Sequence, residues 1–142
     1  MFLSKLLLAA LLPTMAFAAE VPLTISTVGN ELSYDKKVLQ VKPGQAVSLT
    51  FHNSADVGSG MQHTWTLVKP GTEEQIATEA VEAGAAKNYV PNDPSVLAST
   101  KLVEAGKSET IHFKAPTQPG SYPYICTFPA HFRVLKGVLQ VG

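Results

Sequence analysis

Residues 119–137 read Pro-Gly-Ser-Tyr-Pro-Tyr-Ile-Cys-Thr-Phe-Pro-Ala-His-Phe-Arg-Val-Leu-Lys-Gly, and the interpretation of the whole chain starts from this stretch. It holds the only cysteine of the sequence, Cys126, and His131 follows five positions later. A thiolate and an imidazole at the two ends of one short loop can bind a single metal ion. Soft sulfur together with nitrogen favours copper or zinc over magnesium or calcium. This loop offers two ligands, so a third has to come from elsewhere.

The third ligand is predicted to be His63, which begins the stretch His-Thr-Trp-Thr-Leu-Val. A two-residue period places His63, Trp65 and Leu67 on one apolar face of a strand, and that face should point inward. For His63 alone, a core histidine bonded to the backbone would be the better interpretation. The Cys126–His131 loop reverses that preference. Two histidines and one cysteine, with a weak or absent fourth ligand, form the trigonal donor set of a blue-copper electron-transfer site.

The loop resembles the copper loop of azurins and auracyanins. The similar residues are the run Cys126-Thr127-Phe128-Pro129-Ala130-His131 and, after it, Leu135-Lys136-Gly137. The resemblance extends from about Val21 to Val141, nearly the whole mature chain. It implies the cupredoxin fold, one type 1 copper per chain, and His63, Cys126 and His131 as the copper ligands.

Four positions depart from the family pattern. Family members usually place an axial Met nine residues after the cysteine, and here that residue is Leu135. Without a donor atom at this position, the resemblance implies a high reduction potential. The Gln62 carbonyl matches the group that approaches copper weakly in azurins, where the residue is glycine. Thr64 replaces an Asn that connects the two ligand loops in the family. Whether the shorter threonine connects them here is an open question. Ala130 replaces a glycine, which matters if the position needs a positive φ.

An apolar surface around His131 is implied by the same resemblance, and the family uses it to dock redox partners. Its residues here are Met61, Phe128, Pro129, Ala130 and Val134. Ordinary loop packing is the alternative, because small apolar patches are common on protein surfaces. Phe132 and Arg133 add an aromatic ring and a charge that are not typical of azurins.

Residues 1–18 are predicted to be a signal peptide. Lys5 supplies the positive charge, residues 6–12 form the apolar core, and Ala16-Phe17-Ala18 is a small-x-small cleavage site. The apolar run is too short to cross a bilayer as a helix. Retention of this segment as an anchor is the rival interpretation. Cleavage would place the mature protein in the periplasm.

Residues 19–142 are predicted to form one domain, because about 120 residues suit a single core. The full chain has 11 basic and 11 acidic residues, so no basic field for nucleic acid or anionic lipid exists. A single cysteine excludes an intramolecular disulfide framework. A monomer without a membrane span is expected after processing.

The fold class is predicted to be all-β, a Greek-key sandwich of about eight strands with one helical insertion. Alternation marks the strands around Val21–Ile25, Leu39–Val41, Val47–Phe51 and Ile111–Phe113. Another strand is predicted at residues 100–103. The helix should begin with a capping box at Thr72–Gln75 and bury Ile76, Ala77, Ala80, Val81 and Gly84.

Three functions compete at this point. A periplasmic carrier of single electrons fits the ligand set, the export signal and the lack of a substrate site. Copper handling, as a chaperone or store, is the alternative, because the axial Met is missing and Met61 is near the site. An enzyme is the third, but no orienting Asp or Asn and no general base can be assigned, so no enzyme is expected.

Overall fold

Eleven strands and one α-helix make up the part of the chain that the computed structural model describes, residues 10–13 and 19–142. Most of the predicted signal peptide therefore lies outside the described residues. The elements are β1 (Val21–Val28), β2 (Glu31–Tyr34), β3 (Val38–Val41), β4 (Ala46–His52), β5 (Gln62–His63), β6 (Thr66–Val68), α1 (Glu73–Ala83), a 3₁₀ helix (Ala85–Lys87), β7 (Val96–Ser99), β8 (Val103–Glu104), β9 (Ser108–Lys114), β10 (Gly120–Ile125) and β11 (Lys136–Val141).

Two sheets face each other as a sandwich. One has the strand order β2-β1-β4-β9 and the other the order β3-β11-β10-β6-β7, and β5 and β8 form a separate short pair. The predicted β-sandwich with one helical insertion is confirmed. The strand count exceeds the expected eight because short strands such as β2, β5 and β8 carry too few residues to show a period. The sheets are also mixed, since β1 pairs with β4 and β3 pairs with β11 in parallel.

The core lies between the two sheets. It follows the predicted alternation in β4, but residues 63–68 are all buried, and the single strand predicted there is divided into β5 and β6. In β4, Val47, Leu49 and Phe51 are fully buried, and the residues between them are half-buried. The fully buried aromatic side chains are Trp65, Tyr34, Tyr124 and Phe51. Large apolar side chains at this degree of burial each contribute about 1.5–3 kcal/mol to folding. The ring of Tyr124 also lies against Gly137 across the β10–β11 pair, where a Cβ would overlap it.

Helix α1 packs on the side of the sandwich, as predicted. Ile76 is fully buried and joins Val68 and Ile125 in a small second core. Three details differ from the prediction. Gly84 lies after the end of α1 as its C-cap and is half-buried. Val81 is 55% exposed. The capping box does not form, because the Thr72 hydroxyl donates to the Lys69 carbonyl at 2.6 Å instead of accepting from the helix.

The β6–β10 pair brings the two predicted ligand segments together. These strands are antiparallel, with Tyr124 opposite Leu67 and Ile125 opposite Thr66. The residue that follows β10 and the residues that precede β6 therefore lie at the same end of the sandwich. The predicted strand at residues 100–103 is displaced, since β7 ends at Ser99 and β8 begins at Val103. Among the described residues, no helix is both long and apolar enough to cross a membrane.

Candidate metal centre

Three of the predicted site residues meet at this end of the sandwich. The ligand atoms of His63, Cys126 and His131 all lie within 4.8 Å of one another. Cys126 Sγ is 3.9 Å from His63 Nδ1 and 3.7 Å from His131 Nδ1. The same nitrogen of each ring faces the sulfur, so the three donor atoms surround one point.

These separations fit a metal ion. An ion about 2.3 Å from sulfur and about 2.0 Å from nitrogen, with ligands about 120° apart, separates the two atoms by about 3.7 Å. The observed sulfur-to-nitrogen distances of 3.7 and 3.9 Å agree with this value. One thiolate and two imidazoles in such an arrangement form the donor set of blue-copper sites. The residues therefore fit a copper ion by number, chemistry and spacing.

The thiol of Cys126 is fully buried, and its burial raises the pKa to about 11. The backbone N–H groups of Thr64 and Phe128 and the Thr64 side chain act in the opposite direction and lower this pKa, but burial outweighs them. The metal-free protein thus carries a neutral thiol at pH 7. Because a metal binds the thiolate, binding has to release this proton.

The two histidines differ in their access to solvent. His63 is fully buried, and its pKa is lowered to about 4, mainly by burial and further by the nearby His131. His131 is half-buried, and burial lowers its pKa as well. Both rings are therefore neutral at pH 7 and have a free nitrogen for a metal. Only His131 reaches the surface.

The loop that carries Cys126 and His131 is closed by backbone hydrogen bonds. The Cys126 N–H donates to the Leu135 carbonyl at 3.0 Å, and the Leu135 N–H donates to the His131 carbonyl at 2.9 Å. The His131 N–H donates to the Phe128 carbonyl at 3.1 Å and closes a turn with Pro129 and Ala130 in the middle. These bonds hold both ligands without a metal.

Ala130 occupies the position in this turn that favours glycine. Its φ is 71°, and a turn with Pro at the second position and a positive φ at the third is a type II turn. The glycine-to-alanine departure therefore matters, because an L residue in this region costs about 1–2 kcal/mol. Pro129 partly offsets that cost, since its ring presets the φ that the second position needs.

Thr64 ties the two ligand segments together, which the sequence had left open. Its Oγ1 accepts the Thr127 N–H at 2.9 Å and lies 2.7 Å from Thr127 Oγ1. The Thr64 N–H points to Cys126 Sγ at 3.4 Å. Both threonines are buried. A hydroxyl thus connects the two loops in place of the Asn side chain of the family.

Leu135 and Gln62 are placed differently relative to the ligands. The Leu135 side chain is fully buried in the same core cluster as Cys126, as expected for an apolar residue beside the ligands. Gln62 is half-buried in β5, directly before His63, and pairs with Glu104 of β8. The Leu135 side chain has no donor atom, and its backbone carbonyl accepts the Cys126 N–H.

The predicted docking residues differ in their exposure to solvent. Ala130 is exposed and Val134 is 53% exposed. Phe128, Pro129 and Met61 are half-buried. The Phe128 ring lies against the His131 ring with a centroid distance of 4.7 Å. Of the predicted apolar surface, Ala130 and Val134 are therefore exposed, and Phe128 packs against the histidine.

Arg133 connects the metal-binding loop to the helix. Its guanidinium lies over the Phe132 ring, 4.8 Å from the centroid, and forms an ion pair of 3.2 Å with Glu74 of α1. Both partners of the pair are exposed, so its contribution to stability is small. Arg133 is thus engaged by partners within the chain.

Several residues near the ligands were missed from sequence. The Tyr34 hydroxyl donates to the Thr64 carbonyl at 2.6 Å. Thr66 Oγ1 donates to Thr64 Oγ1 at 3.1 Å and lies 2.8 Å from Ser99 Oγ. The alternating hydroxyls of His-Thr-Trp-Thr were the available signal for the two threonines. Nothing local indicated Tyr34 or Ser99, because their partners are distant in sequence.

Comparisons with known proteins show similarity to copper-binding proteins in sequence and in fold. The sequence profile of the copper-binding proteins of the plastocyanin/azurin family matches residues 21–142. Auracyanin-A of Chloroflexus aurantiacus is 40% identical over 125 residues, which cover 86% of this chain and 75% of that protein. Azurin iso-2 of Methylomonas sp. strain J is 31% identical over 124 residues, covering 83% and 95% of the two chains. A crystal structure of dithionite-reduced auracyanin from Roseiflexus castenholzii superposes with a TM-score of 0.79 at 38% identity, covering 87% of this chain and 98% of that one.

Proposed function

Because the chain belongs to the plastocyanin/azurin family of copper-binding proteins, we propose that it carries single electrons between redox proteins of the periplasm. The proposed ligands of its type 1 copper are His63, Cys126 and His131. The observation that supports this most is the meeting of one cysteine sulfur and two histidine nitrogens within 4.8 Å at one end of the sandwich. A periplasmic location rests on the predicted signal peptide of residues 1–18.

The chain's contribution is to hold the three ligands still. Copper bound there supplies the exchange of one electron between its two oxidation states. The closed 126–135 loop and the Thr64–Thr127 connection keep the donor atoms at similar positions in both states. The buried Leu135 side chain excludes water from its side of the site. Little rearrangement is then needed when an electron arrives or leaves.

Burial of the ligands favours electron transfer over copper handling. A chaperone or store exchanges its metal through accessible soft ligands, but Cys126 and His63 are both fully buried. Met61 is the only methionine in the predicted mature chain, and it is half-buried. Metal exchange would require the loop to open and break its backbone hydrogen bonds, whereas an electron can pass through the half-buried His131 ring.

A copper titration tests the proposed function. Addition of Cu(II) to the metal-free protein is expected to produce an intense visible band that saturates at one equivalent, because a thiolate-to-copper transition needs the Cys126 sulfur. Zn(II) is the matched control and is expected to bind without colour. A protein that binds Cu(II) without an intense visible band would contradict the assignment.

The proposed docking surface is the apolar rim formed by Met61, Phe128, Pro129, Ala130 and Val134. Val134 is 53% exposed and lies in the same loop as the half-buried ligand His131. We expect Val134→Glu to leave the visible spectrum unchanged and to slow electron exchange with a redox partner about tenfold, since a desolvated charge costs more than 1 kcal/mol at an interface. Stopped-flow kinetics with a partner protein measure this.

The matched control is Gln118→Glu, which adds the same charge at the opposite end of β10. Gln118 is exposed, and its backbone carbonyl, which accepts from Tyr122, is unchanged by the substitution. Partner kinetics should be unaffected in this variant. Equal rates for Val134→Glu and the parent would place docking on another surface.

The high potential that we propose depends on Leu135. A methionine sulfur would donate electron density to the metal and stabilise Cu(II), whereas the leucine side chain offers hydrocarbon and excludes water. We expect Leu135→Met to lower the reduction potential while the blue band remains. The two side chains have similar volumes, so the free energy of unfolding should fall by less than about 1.5 kcal/mol.

The control for this substitution is Leu139→Met. Leu139 is equally buried in the same core cluster, but it lies in β11 opposite Tyr122 and not in the 126–135 loop. Its replacement should change stability by a similar amount and leave the potential unchanged. Spectroelectrochemical titration of both variants gives the comparison. A potential that is equal or higher in Leu135→Met would show that this side chain is not the axial neighbour.

A further inference from the structure

Thr64 is one member of a line of hydroxyl groups that leads away from the metal centre. Thr127 Oγ1 lies 2.7 Å from Thr64 Oγ1, which lies 3.1 Å from Thr66 Oγ1. Thr66 Oγ1 in turn lies 2.8 Å from Ser99 Oγ in β7. The three threonines are buried, and Ser99 is half-buried. The line therefore joins the neighbour of Cys126 to the outermost strand of the five-stranded sheet.

The number of protons and lone pairs on each hydroxyl determines which hydroxyl in this line donates to which. Thr66 donates its single proton to Thr64 Oγ1, which also accepts the Thr127 N–H. These two bonds fill both lone pairs of Thr64 Oγ1, so its own proton has to go to Thr127 Oγ1. Ser99 Oγ donates its one proton to the Thr100 carbonyl at 2.8 Å, so it also donates to Thr66 Oγ1, 2.8 Å away, only if the two acceptors share that proton. Among the threonines, the order of donation is Thr66, Thr64, Thr127.

The line passes through Thr64, the residue whose N–H hydrogen-bonds the ligand sulfur. The Thr64 N–H reaches Cys126 Sγ at 3.4 Å, and the Tyr34 hydroxyl holds the Thr64 carbonyl. If the Thr66 hydroxyl is removed, a lone pair of Thr64 Oγ1 is freed, and either of Thr64 and Thr127 can then donate to the other. Linked hydroxyls polarise one another, so the loss is transmitted along the line. The Thr64 peptide would then be less firmly placed over the sulfur.

We propose that Thr66 and Ser99 are positioning residues that set the reduction potential through Thr64, although their side chains lie outside the ligand set. The inference rests on the proposed electron-carrier function. An N–H bond to the sulfur stabilises thiolate charge and reduces its donation to copper, which raises the potential. Firm placement of Thr64 by Thr66 and Ser99 therefore keeps the potential high, in addition to the effect of Leu135.

Thr66→Val tests the line with a side chain of the same shape and no hydroxyl. The measurement is made at a solution potential at which half of the copper-loaded parent protein is reduced. At this potential we expect the ratio of reduced to oxidised protein in the variant to be about fivefold lower. This factor corresponds to the net contribution of one hydrogen bond. Ser99→Ala should shift the ratio in the same direction by less, because Thr66 still donates to Thr64. Thr66→Ser, which retains the hydroxyl, should restore the parent ratio.

The matched control is Thr50→Val, which breaks the 2.7 Å hydroxyl pair of Thr50 and Thr110 between β4 and β9. This pair is a cross-strand hydroxyl contact of similar length without a connection to the ligands. Thr50→Val should leave the ratio of reduced to oxidised protein at the parent value. An equal shift in this variant would overturn the proposal, because the potential would then respond to general loosening of the sheets.

A second measurement uses the metal-free protein and does not depend on electron transfer. Amide hydrogen exchange of Thr127 should rise about fivefold in Thr66→Val, since the Thr127 N–H donates to the oxygen that Thr66 holds. Unchanged exchange together with an unchanged ratio would overturn the positioning role. Failure of the parent to give a blue band would instead contradict the proposed function, and the exchange rates would still decide whether Thr66 holds Thr64.

Discussion

Cys126→Ser is expected to abolish the intense visible band of the copper-loaded protein completely. The band needs a sulfur-to-copper charge transfer, and Cys126 is the only cysteine in the chain. A serine hydroxyl is not soft and does not ionise at neutral pH, so it cannot replace the thiolate. Visible absorption after addition of one equivalent of Cu(II) measures the effect. The two histidines should still bind copper, but weakly.

Stability of the metal-free protein is the control for this variant. The neutral thiol and a hydroxyl are similar in size, and the Thr64 N–H that faces the sulfur can donate to either. We expect the free energy of unfolding to change by about 1 kcal/mol, so loss of colour cannot be ascribed to loss of the fold. A blue band that survives in Cys126→Ser would remove Cys126 from the ligand set and with it the proposed function.

Gly137→Ala is expected to destabilise the protein by about 3 kcal/mol, the upper end of the usual cost of overpacking. Gly137 lies opposite Tyr124 in the β10–β11 pair, and a Cβ at this position would overlap the tyrosine ring. The ring cannot move aside easily, because its hydroxyl donates to the Lys36 carbonyl at 2.7 Å and its face contacts Trp65. Chemical denaturation of the metal-free protein measures the loss.

A double-mutant cycle separates this steric effect from a general preference for glycine in β11. Tyr124→Val removes the ring, and in that background Gly137→Ala should cost less than about 1 kcal/mol. Alanine is compatible with a strand, so it should be tolerated once the ring is gone. A cost that is the same in both backgrounds would mean that the glycine backbone, and not the ring contact, limits this position.

The metal centre could be predicted from sequence because most of its information is local. Cys126 and His131 lie on one loop, and the fit of residues 126–131 to a known loop pattern identifies the chemistry. For His63 one further inference was needed, namely that the start of its strand lies at the same end of the sandwich as the Cys126–His131 loop. The β6–β10 pairing confirms it. The alternation in β1, β3 and β4 likewise predicted which side chains are buried.

What could not be predicted depends on partners far apart in sequence. Thr64 ties the loops through Thr127, 63 positions later, and the composition of neither segment reveals that contact. The parallel pairing of β1 with β4 and of β3 with β11 could not be predicted either. A strand shows the same alternation of apolar and polar residues whether its neighbour is parallel or antiparallel. β2 is different, because the turn Gly29-Asn30 between β1 and β2 is a recognised hairpin signal that was overlooked.

The position of β11 has a consequence for the order of folding. This strand lies between β3 and β10 in its sheet, and Val138 pairs with Val38, one hundred positions earlier. Contacts of such separation form slowly, because a long segment of chain has to be ordered to close them. During synthesis the five-stranded sheet cannot assemble until residues 136–141 have left the ribosome. Until then β3 and β10 lack the strand that lies between them, so the five-stranded sheet stays incomplete while the chain is being made.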